Sequence, residues 1–181
     1  MIEAVGDLVP KIHPTAWVHP RATVMGDVEI GPRSSVWPGA VLRGDFGAIR
    51  VGAMTSIQDN AVLHAGPRAP TVVGDECVIA HQAFIETAVV EDVCMVAVGA
   101  KVLPGAVLRR GAVAAAGAVL VGGLEVPGGK RAVGVPARLA PNPMPDEDYI
   151  REGARNYAEL AARLAAAEAG RADGTTENGD S

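Results

Sequence analysis

Aromatic residues are scarce in this chain: Phe, Trp and Tyr make up 3% of 181 residues, while 49% are hydrophobic. A core for one domain must then be assembled from Val, Ile, Leu and Ala in many small layers, because few large rings are available to fill it. Cysteine occurs only as Cys77 and Cys94, too few for a disulfide framework and too far apart for a metal-binding pair. No Lys/Arg run interleaved with aromatics is present and the net charge is −5, which argues against a nucleic-acid partner. The longest uncharged apolar stretch, residues 111–124, is interrupted by glycine and falls short of the roughly 18 residues a membrane helix needs. Glu3 and Asp7 stand where an export signal would carry a basic and then an apolar segment, so a soluble, cytoplasmic protein is expected.

What is abundant is a period of six. Aliphatic residues open successive hexapeptides at Ile12, Val18, Val24, Ile30, Val36 and Leu42, at Val51, Ile57 and Leu63, and at Val73, Ile79 and Ile85. A last run continues through Val90, Val96, Val102 and Leu108, weakens at Ala114, and ends at Leu120 and Val126. Small residues such as Ala22, Ala40, Ala61 and Ala83 usually follow four places later, and Cys77 and Cys94 fall at that position as small core residues. This period suits neither a 3.6-residue helix nor a continuous alternating strand. It suits short strands joined by corners, three hexapeptides to a triangular coil, with coils stacked about 4.8 Å apart. Residues 1–140 are therefore expected to form an all-β solenoid, a parallel β-helix. After the break PNPMPDED, Asp146 or Asp148 is expected to cap a C-terminal α-helix within residues 141–170, with Ala154, Tyr157, Ala161 and Leu164 as its apolar stripe and Gly170 as its end. Residues 171–181 are polar and expected to be disordered.

The repeat lets side chains be stacked by counting. Three residues are inserted between Leu42 and Val51 and four between Leu63 and Val73, so Leu42, Leu63 and Ile85 lie one coil apart. The residues that follow them form one polar column, Arg43, His64 and Glu86; a second column, on another face, joins Asp59 to His81. Stacked about 5 Å apart, His64 and Glu86 are spaced to share a metal. His81 would meet that column more naturally from a neighbouring molecule in a parallel trimer, and two His, a carboxylate and water form a known catalytic zinc arrangement. The plainer reading of the same residues is solvated surface, with Arg43 and Asp59 as an ion pair fixing a subunit interface. His13 and His19, each before proline, read as surface positions.

The segment 42–86 carries RGD at Arg43–Asp45, IQD at Ile57–Asp59, LH at Leu63–His64 and AHQAFIE at Ala80–Glu86, and GVPAR at Gly134–Arg138 leads into the helix. These motifs resemble the gamma-class carbonic anhydrase-like family of hexapeptide-repeat proteins, and the resemblance covers nearly all of residues 10–165. It implies a left-handed coil sense and a homotrimer. It also implies reversible hydration of CO2 by metal-bound hydroxide at the trimer interfaces. By that resemblance His64 and His81 are metal ligands, Glu86 holds the place of a third histidine, and Gln58 orients the reactive water. Arg43, Asp45 and Asp59 match interface residues beside the site. Zinc is the expected metal, with iron or cobalt as alternatives. Phe46 replaces an acidic residue, Ser56 replaces an Asn, and the acidic proton-shuttle loop is missing, so weak or lost activity is in prospect. The competing readings are a hexapeptide acyltransferase with His64 as general base, a hydrolase of coenzyme A thioesters, and a non-catalytic trimeric binding or assembly protein.

Overall fold

The computed structural model describes residues 1–140 and 146–174. The hexapeptide openers are the inward-facing members of two- and three-residue strands, and they stack in parallel register on three faces. Leu42, Leu63, Ile85, Val102 and Leu120 pair in sequence on the first face. Val51, Val73, Val90, Leu108 and Val126 do so on the second, and Val36, Ile57, Ile79, Val96 and Ala114 on the third. All of these are buried, each contributing on the order of 1.5–3 kcal/mol of apolar transfer for the larger side chains. Each backbone pairs with the coil above and below, which is why strands this short persist. The third face has eight strands, of which the last, Arg138–Ala140, pairs antiparallel with Arg131–Val133; seven parallel levels remain, closed by that hairpin.

Two long strands, Thr23–Ile30 and Val41–Val51, run round the corner from the first face to the second. Their register shifts between Gly26 and Val28, where the residues inserted after Leu42 are absorbed. The glycine of the RGD motif has a packing role there: a Cβ on Gly44 would lie 2.6 Å from the carbonyl oxygen of Asp27 in the neighbouring coil. Cys77 and Cys94 are free, buried thiols in the core, as their position in the repeat implies. Burial pushes the Cys94 thiol up to about 12 and the Cys77 thiol further.

The helix Glu147–Gly174 packs on the third face. Asp146 caps it, its Oδ1 accepting the Tyr149 backbone N–H at 3.0 Å. Ala154 and Ala161 are buried and Tyr157 and Leu164 partly so, as the stripe implies, but Ile150 and Ala158 join the buried side. Ile150 and Ala154 pack with Val78, Val93 and Val113. Trp17, Trp37 and Tyr157 meet edge to face at 5.0 and 5.4 Å, and Trp17 Nε1 donates to Glu168 at 3.2 Å. Three of the six aromatics thus clamp the helix instead of filling the solenoid. The helix does not end at Gly170: it continues to Gly174, because glycine in a helix costs only about 1 kcal/mol relative to alanine. The expected tail therefore overlaps this helix at 171–174, and 175–181, like 141–145 of the break, lie outside the described residues. No described helix is long and apolar enough to cross a membrane.

Candidate functional site

The two polar columns stand at the two corners that flank the first face. At the corner leading to the second face, Arg43 pairs with His64 and His64 with Glu86 in the strand register. The His64 ring lies between two carboxylates: Nδ1 is 3.1 Å from Glu86 Oε1 and Nε2 is 3.2 Å from Asp45 Oδ1. Arg43 forms a salt bridge to the other Asp45 oxygen. Burial pushes the Asp45 carboxyl up, but hydrogen bonds from Arg43 and its surroundings outweigh that and hold it below the usual carboxylate value. Phe46 stands over this corner, its ring 6.4 Å from that of His64 and its side chain largely in solvent.

Two threonines, Thr71 buried and Thr87 half-buried, hold the corner in place. Thr71 Oγ1 donates to the carbonyl of His64 and accepts the Thr87 N–H at 2.7 Å, while Thr87 Oγ1 accepts the Gly66 N–H at 2.8 Å. Thr87 follows Glu86 directly and sits at φ 47, a left-handed conformation unusual for a β-branched residue. Reading the sequence did not find this pair; the only signal was a threonine at a level otherwise filled by aliphatic or small residues.

At the other corner, leading from the third face, His81 Nδ1 lies 3.0 Å from Asp59 Oδ2. Both side chains are well exposed, 45% and 39%, against 14% for His64. Gln58 is buried, and with His81 it lines a cavity of about 480 Å³ between the third face and the helix. Tyr149, Glu152 and Asn156 come from the helix side, Met95 and Val98 from the solenoid. Ser56, below Gln58 on the third face, is 1% exposed, and its hydroxyl is without a hydrogen-bond partner among the described residues.

Of the sequence-derived residues, the fold thus brings together Arg43, His64 and Glu86, and separately Gln58, Asp59 and His81. Arg43 pairs with Asp45 and Asp59 with His81, so the Arg43–Asp59 ion pair does not form within one chain. No three His, Cys, Asp or Glu side chains gather as a metal-holding group among the described residues. His13 is exposed and His19 half-buried, and neither joins a polar column.

Residues 10–44 match the family model described as bacterial transferase hexapeptide (six repeats). The mitochondrial gamma carbonic anhydrase 1 of Arabidopsis thaliana is 39% identical over 90% of this chain, which spans 62% of that relative's length. Carnitine operon protein CaiE of Escherichia coli is 33% identical over 86% of this chain and 80% of its own. The chain belongs to the gamma carbonic anhydrase-like hexapeptide-repeat family. A solved structure of the same architecture, a hexapeptide transferase family protein from Anaplasma phagocytophilum, superposes with a TM-score of 0.84 at 34% identity, covering 88% of this chain and 95% of that one. Gamma carbonic anhydrase-like and transferase names therefore both occur among proteins built on this solenoid.

Proposed function

We propose that this protein is a gamma carbonic anhydrase-like lyase interconverting CO2 and bicarbonate, with sites completed between copies of the chain in a trimer. The observation that carries the reading is the division of the donors: His64 and Glu86 stand together at one corner of the first face and His81 at the other. The first face lies between those corners, so a neighbouring copy packed on it would bring its own His81 to the His64–Glu86 column.

The donor chemistry fits a divalent cation. His64, Glu86 and the partner's His81 would hold it, zinc first, with iron or cobalt also suited to two imidazoles and one carboxylate. Bound there, the ion would supply Lewis-acid activation of water near neutral pH. Asp45, at the second nitrogen of His64, fixes the ring's orientation and tautomer, and Arg43 keeps Asp45 ionised. Gln58 lines the cavity beside His81, and its amide would orient a small oxygen-bearing substrate there. Glu86 brings negative charge to the place of a third neutral imidazole, which favours tight cation binding but slower turnover than an all-histidine site. Phe46 offers no proton acceptor at the corner, which points the same way.

Elemental analysis of the parent protein beside His64→Ala and His81→Ala, with CO2 hydration measured on the same samples, tests the reading. About one metal per chain, lost in both variants, is the expected result. Protein that stays metal-free after reconstitution with zinc and with iron would overturn it.

A second reading has its own observation. The His81–Asp59 pair at the mouth of the cavity is a base with an orienting carboxylate, the arrangement that activates an acceptor for acyl transfer. It places the base at His81, where reading the sequence favoured His64. Acyl transfer from an acyl-coenzyme A that survives metal removal and is lost in His81→Ala would select this reading.

A further inference from the structure

The exposed apolar side chains of the solenoid are not scattered. Met1, Ile2, Leu8 and Val9 lie at the first coils, and Val121, Val135 and Leu139 at the last. The ends of a solenoid expose such residues because no further coil covers them. Phe46, Val98 and Tyr149 remain, exposed by 68%, 49% and 60%, and all three lie beside the two half-sites. Phe46 stands over His64, and Val98 and Tyr149 line the cavity that contains His81.

The two patches differ in shape and charge in a complementary way. The first is a protruding phenyl ring on the inserted bend after Gly44, with Arg43 beside it. The second is concave, about 480 Å³, lined by Met95, Ala97 and Val98 on the solenoid side, with the carboxylates of Asp59 and Glu152 close by. Glu152 makes no hydrogen bond or ion pair among the described residues, so its charge is free to face a cation.

We propose that Phe46 of one subunit seats in the helix-flanked cavity of a second copy of this chain, against the partner's Val98 and Tyr149, with Arg43 facing the partner's Asp59 and Glu152. The inference rests on the shared-site reading above and adds its anchor. The contact is heterologous, knob to pocket, and closes when the third copy's Phe46 reaches the first copy's cavity. An aromatic side chain in a concave pocket is the usual centre of interface affinity. Here it also roofs the cavity beside His81 and excludes bulk water. The helix Glu147–Gly174 thereby acquires a role in assembly, because it supplies one wall of the socket.

Cross-linking separates this inference from the reading on which it rests. In the full chain carrying Phe46→Cys and Val98→Cys together, a short bis-maleimide is expected to give covalent dimers and trimers, while either single variant gives none. Cys77 and Cys94 are buried with raised thiols and do not react. Light scattering on the same samples supplies the second readout. A double variant that stays trimeric but fails to cross-link would overturn the seat and leave the shared site standing; a parent protein that is monomeric by light scattering would overturn both, whereas a trimeric parent beside a dissociated Phe46→Cys variant supports the anchor. Independently, Phe46→Ala is expected to raise the concentration of half-dissociation about tenfold or more, the loss typical of an interface anchor. An unchanged dissociation midpoint would also overturn the seat.

Discussion

The two corners of the first face carry similar residues in different states of completion. At one, His64 has both ring nitrogens engaged, Arg43 holds Asp45, and a pair of threonines fixes the backbone beneath. At the other, His81 has a single carboxylate partner, lies three times as exposed as His64, and opens onto a cavity walled by a helix from outside the repeat. The column at the first corner is ordered by the coil stack, because Arg43, His64 and Glu86 are register partners in turn. The second needs tertiary packing of the helix, and its unfilled contacts point outward. A closed donor pair at one edge and an open cavity at the other are the contrast on which the shared-site proposal rests.

Several substitutions sharpen that contrast. Leu63→Ala, beneath the first corner, removes a fully buried side chain between Leu42 and Ile85 and is expected to cost about 2–5 kcal/mol in denaturant unfolding. Ile150→Ala, beneath the helix, should cost a comparable amount but leave the His64 corner intact, so that imidazole NMR shifts move for His81 and not for His64. Thr71→Val leaves the His64 carbonyl and the Thr87 N–H without their shared hydroxyl; a loss of about 1–3 kcal/mol is expected, with His64 shifts moving and those of His81 unchanged. If Thr71→Val instead disturbed His81, the two corners would be coupled through the coil and the distinction drawn above would fail.

The smallest effect is electrostatic and far from both corners. Hydrogen bonds from Arg109 hold the Glu91 and Glu125 carboxyls below their usual value. Carboxyls depressed in the folded state contribute stability above their unfolded pKa, and the contribution disappears as pH falls through the folded values. Arg109→Ala is therefore expected to flatten the acid limb of the stability curve below about pH 4.5, with a small loss of stability at pH 7 that shrinks and disappears at the acid end. Thermal unfolding between pH 3 and 7 measures it, and a parallel downward shift at every pH would mean that Arg109 acts through packing.

Much of this was legible without coordinates. The spacing of Leu42, Leu63 and Ile85, insertions counted, put Arg43, His64 and Glu86 in one column, and the register agrees residue for residue. That succeeded because a coil has only one way to keep its aliphatic residues inside, so each insertion must be absorbed at a corner. The helix end at Gly170 failed for the opposite reason: glycine ends a helix where the chain turns left-handed, and this helix runs through it to Gly174. The threonine clamp and the cavity at His81 had no periodic signal, since the first depends on side-chain hydroxyls within adjacent coils and the second on a helix outside the repeat.

The amino-acid order by itself determined the solenoid, its core and which polar residues share a column, because a six-residue period of aliphatic side chains admits one register when coils must stack. Only the tertiary structure decided the state of those residues. It engaged His64 and left His81 open, paired Arg43 with Asp45, and formed a socket where the helix meets the third face, since these depend on distances between groups that the repeat places on separate faces or does not reach.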